Sequence, residues 1–164
     1  MRVVVTGSPG VGKTSVARAL GKILKCGVLN ERQLALEKGI GRWDESEDEL
    51  VIPVAEFGKV VGAVFAGEKD IIVEGHLLCE LKLKPDFVVL IRADPELLEA
   101  RLRGRRYSEE KVQDNVFCEG IDYCKKHVER NYSRERIVEV QSGKSIKETL
   151  DRIIRGLKEK GAKL

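Results

Sequence analysis

The stretch from Arg2 to Thr14 reads R-V-V-V-T-G-S-P-G-V-G-K-T. Its first part is a short β-branched run without alternation, which is typical of a strand buried on both faces of a parallel sheet. Its second part, residues 7–14, fits the pattern G-x-x-x-x-G-K-[ST] without a mismatch. An amphipathic helical pattern follows up to Leu24. A strand, a glycine-rich loop and a helix in this order predict a loop that binds phosphate groups.

The residue types in this loop indicate which ligands it takes. Its glycines allow a tight turn whose backbone N–H groups point inward, and the helix N-terminus behind them favours an anion. Lys13 is expected to reach the β- and γ-phosphates of ATP, and Thr14 to offer its hydroxyl to Mg²⁺. Ser15 can add a contact to the α-phosphate. ATP and Mg²⁺ are therefore the expected ligands.

The loop motif alone leaves the acceptor of the phosphoryl group open, because GTPases, motor-type ATPases and small kinases share it. A GTPase requires an N-K-x-D motif after a later strand. The stretches that follow residues 87–91 and 137–140 read R-A-D-P and Q-S-G-K instead. The short chain favours a small phosphotransferase.

Strand and helix patterns alternate along the rest of the chain. Apolar runs predict four further strands, at residues 27–29, 70–74, 87–91 and 137–140. Together these patterns predict the α/β class, with a five-stranded parallel sheet of the P-loop NTPase type, helices on both faces and a single domain over residues 1–164.

Two other segments carry structural expectations. The acidic stretch W-D-E-S-E-D-E at residues 43–49 is expected to be a solvated loop. Ser108 is expected to cap one long helix that continues to about Tyr132.

Composition limits the function classes. The 164 residues are 42% hydrophobic and 35% charged, and 30 Lys and Arg against 27 Asp and Glu give a net charge of +3. This balance argues against a dedicated nucleic-acid binder and against a disordered chain. No apolar run approaches the roughly 18 residues of a membrane span. None of the four cysteines forms a C-x-x-C pair, so we expect a reduced, cytoplasmic protein.

Residues 70–76, D-I-I-V-E-G-H, place two chemically active side chains at the end of a predicted strand. Glu74 lies where an acid near the Mg²⁺ and its water shell is expected. His76 follows at the carboxyl edge of the sheet, where ligands bind in open α/β sheets. It is expected to orient a nucleophile or to contact the phosphate loop, or else to be a structural imidazole.

Residues 99–107, E-A-R-L-R-G-R-R-Y, carry four arginines within six positions. The planar guanidinium binds two phosphate oxygens at once. Arg101 and Arg105 share a helical face because they are four residues apart. A mobile segment of this kind is expected to close over nucleotide phosphates, although a solvated basic face is the alternative.

Three segments together resemble the adenylate kinase isoenzyme 6 family, the small archaeal and nuclear adenylate kinases also known as ribosome-assembly ATPases. They are G-S-P-G-V-G-K-T at residues 7–14, V-E-G-H at 73–76 and R-L-R-G-R-R-Y-S-E-E-K-V-Q-D-N-V-F-C-E at 101–119. The resemblance covers nearly the whole chain in order. It implies transfer of phosphate from ATP to AMP or another nucleoside monophosphate, a side ATPase activity, and binding of ribosomal protein uS11 during maturation of the small-subunit rRNA.

The resemblance also assigns site residues. It implies a monophosphate-binding region at about residues 30–52 and a lid at about 103–113. With the arguments above, Lys13, Arg105, Glu74 and His76 are the candidate catalytic residues, and Thr14 and Glu74 (through water) the candidate metal site. The expected nucleotide-binding residues are Gly10, Val11, Gly12, Lys13, Thr14, Ser15, Arg105 and Lys144.

Two positions depart from the family pattern. Glu74 stands where the family usually has Asp, which moves the carboxylate by roughly 1.5 Å. Arg106 stands where the lid usually has Gly, so a backbone with positive φ would be strained there, unless the arginine adds a phosphate contact.

Two alternative functions stay open. One is an assembly ATPase whose acidic stretch 44–49 docks the basic tail of uS11 and whose kinase activity is incidental. The other is a different small-molecule kinase of the same fold. No sequence-specific nucleic-acid binding is expected.

Overall fold

The computed structural model describes residues 1–46, 49–105 and 107–164. Strands and helices alternate along these ranges. The bounds are β1 Arg2–Thr6, α1 Lys13–Leu24, β2 Gly27–Asn30, α2 Glu31–Glu37, β3 Arg42–Asp44, β4 Glu49–Val51, α3 Val54–Gly67, β5 Ile71–Glu74, β6 Phe87–Arg92, α4 Pro95–Arg103, α5 Glu109–Gly120, α6 Tyr123–Asn131, β7 Ile137–Gln141 and α7 Ile146–Glu159, with 3₁₀ turns at Leu77–Cys79 and Arg134–Arg136.

Five strands form one parallel sheet in the order β2-β5-β1-β6-β7. The predicted five-stranded parallel sheet is thereby confirmed. Strand β1 lies at the centre of the sheet. Val3, Val4 and Val5 are fully buried, as predicted from a β-branched run in which apolar and polar residues do not alternate. Val5 is in register with Glu74 of β5, so the loop after β1 begins next to that carboxylate.

Helices cover both faces of the sheet. On one face the core includes Phe57 of α3 and Val128 of α6. On the other it includes Leu20 of α1, Leu98 of α4 and Ile153 of α7. No helix among the described residues is long and apolar enough to cross a bilayer.

The acidic stretch at residues 43–49 was expected to be a solvated loop, and this was wrong for its two ends, which belong to strands β3 and β4. Strands β3 and β4 pair as an antiparallel hairpin in which Trp43 is opposite Leu50. Leu50 packs against the core, and the Arg32 guanidinium lies 5.2 Å from the centre of the Trp43 ring. These contacts of the apolar side chains favour the hairpin despite the acidic residues between them. Residues 47 and 48 lie outside the described ranges.

The predicted long helix after Ser108 is two helices, α5 and α6, so that expectation was also wrong. Ser108 does cap α5, accepting a hydrogen bond from Lys111 N. The chain turns at Asp122, whose φ of 61° lies in the left-handed region. The Arg92 guanidinium donates to the Glu119 carbonyl at 3.3 Å and to Asp122 Oδ1 at 2.5 Å. This arginine binds the turn that separates the two helices.

Asp86 joins the starts of β1 and β6 and makes stability depend on pH. Its carboxylate accepts from Arg2 N at 2.7 Å and from the Arg2 guanidinium at 3.2 Å. Burial alone would raise the pKa of Asp86, but these hydrogen bonds outweigh it and lower the pKa. A carboxyl with a lowered pKa stabilises the fold above its unfolded pKa, near 3.9, and loses that contribution as pH falls through the folded pKa.

Because the Asp86 side chain is 38% exposed and solvent weakens its pairing with Arg2, Asp86→Asn is expected to lower the free energy of unfolding by about 0.5–1 kcal/mol at pH 7, with the difference shrinking below about pH 3.9. Urea unfolding of both proteins at several pH values measures this. Glu68→Gln, at an exposed position, is the control. A difference that is constant across this pH range would contradict the assignment.

Candidate active site

The phosphate loop, residues 7–14, connects β1 to α1 and has the backbone that its sequence predicted. Gly7, Gly10 and Gly12 have φ of 146°, 91° and 101°, in the left-handed region that favours glycine. A Cβ atom at Gly7 would lie 2.2 Å from the carbonyl oxygen of Ile91 in β6. The loop therefore packs directly against the neighbouring strand.

Lys13 lies over the start of the phosphate loop. Its Nζ donates to the carbonyl oxygens of Gly7 and Ser8 at 3.0 Å each. Burial lowers the pKa of Lys13, although the carboxylates of Glu31 and Glu74 act in the opposite direction. The ammonium group sits in a desolvated position where its interaction with an anion is strong.

Glu74 is at the end of β5 with its side chain against the phosphate loop, and it is only 1% exposed. Its Oε1 accepts from Thr14 Oγ1 at 2.9 Å and from Asn30 Nδ2 at 2.5 Å. The structure thus brings Thr14 and Glu74 into contact. A hydroxyl and a carboxylate are the hard oxygen ligands that Mg²⁺ prefers, so this pair fits the implied ion.

His76 contacts the underside of the phosphate loop. Its Nδ1 lies 3.2 Å from the Gly7 carbonyl oxygen and 3.5 Å from Cys124 Sγ. Burial alone would lower the pKa of His76, but the interaction with Cys124 outweighs it and raises the pKa. Of the roles expected from the sequence, this position corresponds to contact with the loop.

A cleft of about 310 Å³ opens beside the phosphate loop. The Arg101 guanidinium donates to Ser142 Oγ at 2.9 Å and to the Gly143 carbonyl at 3.3 Å, which joins α4 to the segment after β7. The cleft brings together several predicted residues that are far apart in the chain. Its lining includes Gly10, Val11, Gly12, Ser15, Arg101, Arg105 and Lys144.

Arg103 of the same segment is placed differently. Arg103 pairs with Glu99 and Glu109 at the surface. Arg106, where the sequence departs from the family pattern, lies outside the described residues.

Comparisons with known proteins identify the family of the chain. Residues 3–122 match the family model described as AAA domain. A protein of Thermococcus kodakarensis named "Putative adenylate kinase" is 39% identical over 98% of this chain and 89% of its own length. One of the same name from Pyrococcus furiosus is 38% identical over 94% of this chain and 82% of its own. The chain belongs to this adenylate kinase family. The resemblance found in the sequence is thereby confirmed.

Solved structures of other kinases have the same fold as this chain. Shikimate kinase from Acinetobacter baumannii, in complex with shikimate, superposes with a TM-score of 0.69 over 99% of this chain and 95% of its own. The identity is 17%, so this likeness concerns the fold alone.

The sequence analysis did not predict that Glu119 binds the phosphate loop. This carboxylate is 2% exposed, and its Oε2 accepts from Ser8 Oγ at 2.6 Å. Its Oε1 accepts from Arg92 Nε at 2.6 Å and from Ala93 N at 3.1 Å. One signal was present: Glu119 is seven residues after Val112, which places it on the buried face of α5.

Glu31 was also missed. Its Oε2 accepts from Leu77 N at 2.9 Å, and burial raises the pKa of Glu31 despite the nearby Lys13. A Cβ atom at Gly75 would lie 1.9 Å from the same oxygen, so the glycine makes room for the carboxylate. Glu31 follows the N-cap Asn30, so its position in the sequence predicted the start of a helix but no contact with the site.

Proposed function

We propose that the chain is an Mg²⁺-dependent nucleoside monophosphate kinase of the adenylate kinase type, converting ATP and AMP to two ADP. The observation that carries the proposal is the single cleft shared by the phosphate loop and by Arg101 and Arg105. Membership of a family whose relatives carry the name "Putative adenylate kinase" supports the choice of acceptor.

The donor phosphates are proposed to lie along the phosphate loop. Lys13 has its ammonium group at the loop's edge and turns from the carbonyls of Gly7 and Ser8 to the β- and γ-phosphates. Thr14 and, through water, Glu74 would hold Mg²⁺, which would supply further neutralisation of the phosphate charge. The segment at Lys144 lines the cleft beside Arg101.

The acceptor is proposed to dock over residues 30–52, with residues 103–113 closing as a lid. Trp43 in this region is 42% exposed and offers an aromatic face to a base. The bond from the γ-phosphorus to the β-phosphate oxygen breaks, and a bond to an AMP phosphate oxygen forms. That oxygen is already an anion at neutral pH. No strong general base is needed, and catalysis consists of positioning and charge neutralisation by Lys13, Arg101 and Arg105.

A coupled assay of ADP formation tests the acceptor. We expect the highest kcat/KM with AMP in a series that includes CMP, UMP, dAMP and alcohols of the shikimate class. A preference for an alcohol would overturn the proposal in favour of a different small-molecule kinase. ADP formation that does not depend on any acceptor would identify an ATPase.

Hydrolysis of ATP is the second candidate activity, because Thr14 and Ser15 are exposed at the loop and water has access there. A role in small-subunit rRNA maturation with uS11 is supported by the sequence resemblance alone. A pull-down with purified uS11, with and without ATP, tests it. Retention of uS11 that changes with ATP would support this role, and no retention in either condition would contradict it.

Glu74→Gln tests the proposed metal role. The amide preserves the size and one hydrogen-bond acceptor for Thr14 or Asn30, but it removes the negative charge near the ion. We expect kcat to fall about 100-fold and the Mg²⁺ concentration for half-maximal rate to rise. Steady-state kinetics at varied Mg²⁺ measure both, with exposed Glu68→Gln as the control. Unchanged Mg²⁺ dependence in Glu74→Gln would contradict the role.

A further inference from the structure

Three side chains with soft ligand atoms meet beneath the phosphate loop. His76 Nδ1, Cys79 Sγ and Cys124 Sγ all lie within 4.8 Å of one another. Cys79 and Cys124 are buried, and His76 is half-buried. Among the described residues, no other group of three His, Cys, Asp or Glu side chains meets in this way.

The spacing of these atoms suits a tetrahedral ion. With Zn–S of about 2.3 Å and Zn–N of about 2.0–2.1 Å, a tetrahedral site separates a nitrogen from a sulfur ligand by about 3.5 Å. The distance from His76 Nδ1 to Cys124 Sγ is 3.5 Å. Oxygen atoms of the phosphate loop adjoin two of the ligands. The Gly7 carbonyl is 3.2 Å from Nδ1, and Ser8 Oγ is 3.9 Å from Cys124 Sγ.

The two segments that supply the ligands are held together by other contacts. Cys79 ends the 3₁₀ turn after β5, and Cys124 is in the first turn of α6. Asn131 Nδ2 donates to the Cys79 carbonyl at 3.0 Å, and Tyr132 Oη to the Leu78 carbonyl at 2.5 Å. Tyr123 Oη also donates to a Glu80 carboxylate oxygen at 3.0 Å. These contacts hold the two ligand-bearing segments against each other beneath the phosphate loop.

We propose that His76, Cys79 and Cys124 form a binding site for a thiophilic divalent cation of the Zn²⁺ class. The protein supplies three ligands, and the fourth position faces the phosphate loop, where water or a loop oxygen completes the coordination. The ion joins α6 to the turn after β5 and so stabilises the segments that pack beneath the phosphate loop. This site is distinct from the proposed Mg²⁺ pair of Thr14 and Glu74, whose oxygen ligands suit a hard ion.

Titration of the whole, reduced protein with Co²⁺ tests the site, because tetrahedral Co²⁺ bound to thiolate has characteristic visible and charge-transfer absorption. We expect these bands to saturate at one Co²⁺ per chain and to disappear when Zn²⁺ is added. Zn²⁺ is expected to raise Tm by about 5–10 °C at a hundredfold excess over its Kd. Absence of the thiolate–cobalt band in the folded wild-type protein would overturn the proposal without any variant.

Variants locate the ligands. Cys79→Ser and Cys124→Ser are each expected to weaken Co²⁺ binding at least tenfold and to reduce the charge-transfer intensity. Cys26→Ser and Cys118→Ser are the matched controls, since both cysteines are outside the cluster. Circular dichroism verifies the fold of each variant. Binding that is unchanged in folded Cys79→Ser and Cys124→Ser, or lost in the controls, would also overturn the assignment.

Discussion

Lys13→Ala is expected to lower kcat for phosphoryl transfer at least about 10³-fold while the protein remains folded. Lys13 is the cation on the phosphate loop, where its Nζ lies 3.0 Å from the carbonyl oxygens of Gly7 and Ser8. Burial strengthens the interaction of Lys13 with a phosphate. Burial also lowers the pKa of Lys13, which means that desolvating this charge does not add to the free energy of unfolding. Loss of activity is therefore not expected to be accompanied by loss of stability.

Steady-state kinetics and thermal unfolding on the same preparations separate the two effects. Lys22→Ala is the matched control, because Lys22 is an exposed lysine on the same helix, α1. We expect that control to retain wild-type kcat. Near-wild-type turnover in Lys13→Ala would refute both the kinase and the ATPase proposals.

Glu119→Gln is expected to destabilise the fold by about 3 kcal/mol and to lower Tm by about 6–12 °C. Glu119 binds Ser8, Arg92 and Ala93 at once while only 2% exposed. The neutral amide leaves the Arg92 guanidinium, itself 14% exposed, without its buried counter-ion. One amide also cannot accept all the hydrogen bonds that the two carboxylate oxygens accept.

Glu139→Gln is the matched control, since Glu139 pairs with the same arginine but is 38% exposed. An exposed pair contributes about 0–1 kcal/mol, so we expect Tm to change little. Differential scanning calorimetry measures both variants. Equal, small shifts in Tm for the two would show that Glu119 is not needed for the stability of the fold.

The sequence predicted the sheet and the phosphate loop because both depend on local patterns. Val3–Val5 form a β-branched run, and Gly7 occupies a backbone position that other residues cannot adopt without strain. The proximity of Thr14 and Glu74 was also predictable, because the loop that follows β1 and the acid that ends β5 lie at the carboxyl edge of one parallel sheet.

The contacts that sequence reasoning missed depend on distant partners. Glu119 lies 111 residues from Ser8, so no local pattern could pair them. The break at Asp122 likewise depends on Arg92, 30 residues earlier in the chain. The cluster of His76 with Cys124 joins residues 48 positions apart, and its cysteines have no C-x-x-C spacing.

The two ends of α5 are held by different kinds of contact. The C-terminal end is clamped to the loop and to β6 by buried hydrogen bonds. The N-terminal end packs Val112 in the core and also makes exposed ion pairs, Glu109 with Arg103 and Lys111 with Glu49, each of which contributes little. Under the proposed function, α5 therefore contributes its N-terminal residues to the proposed lid, 103–113, and its C-terminal residues to the support of the phosphate loop.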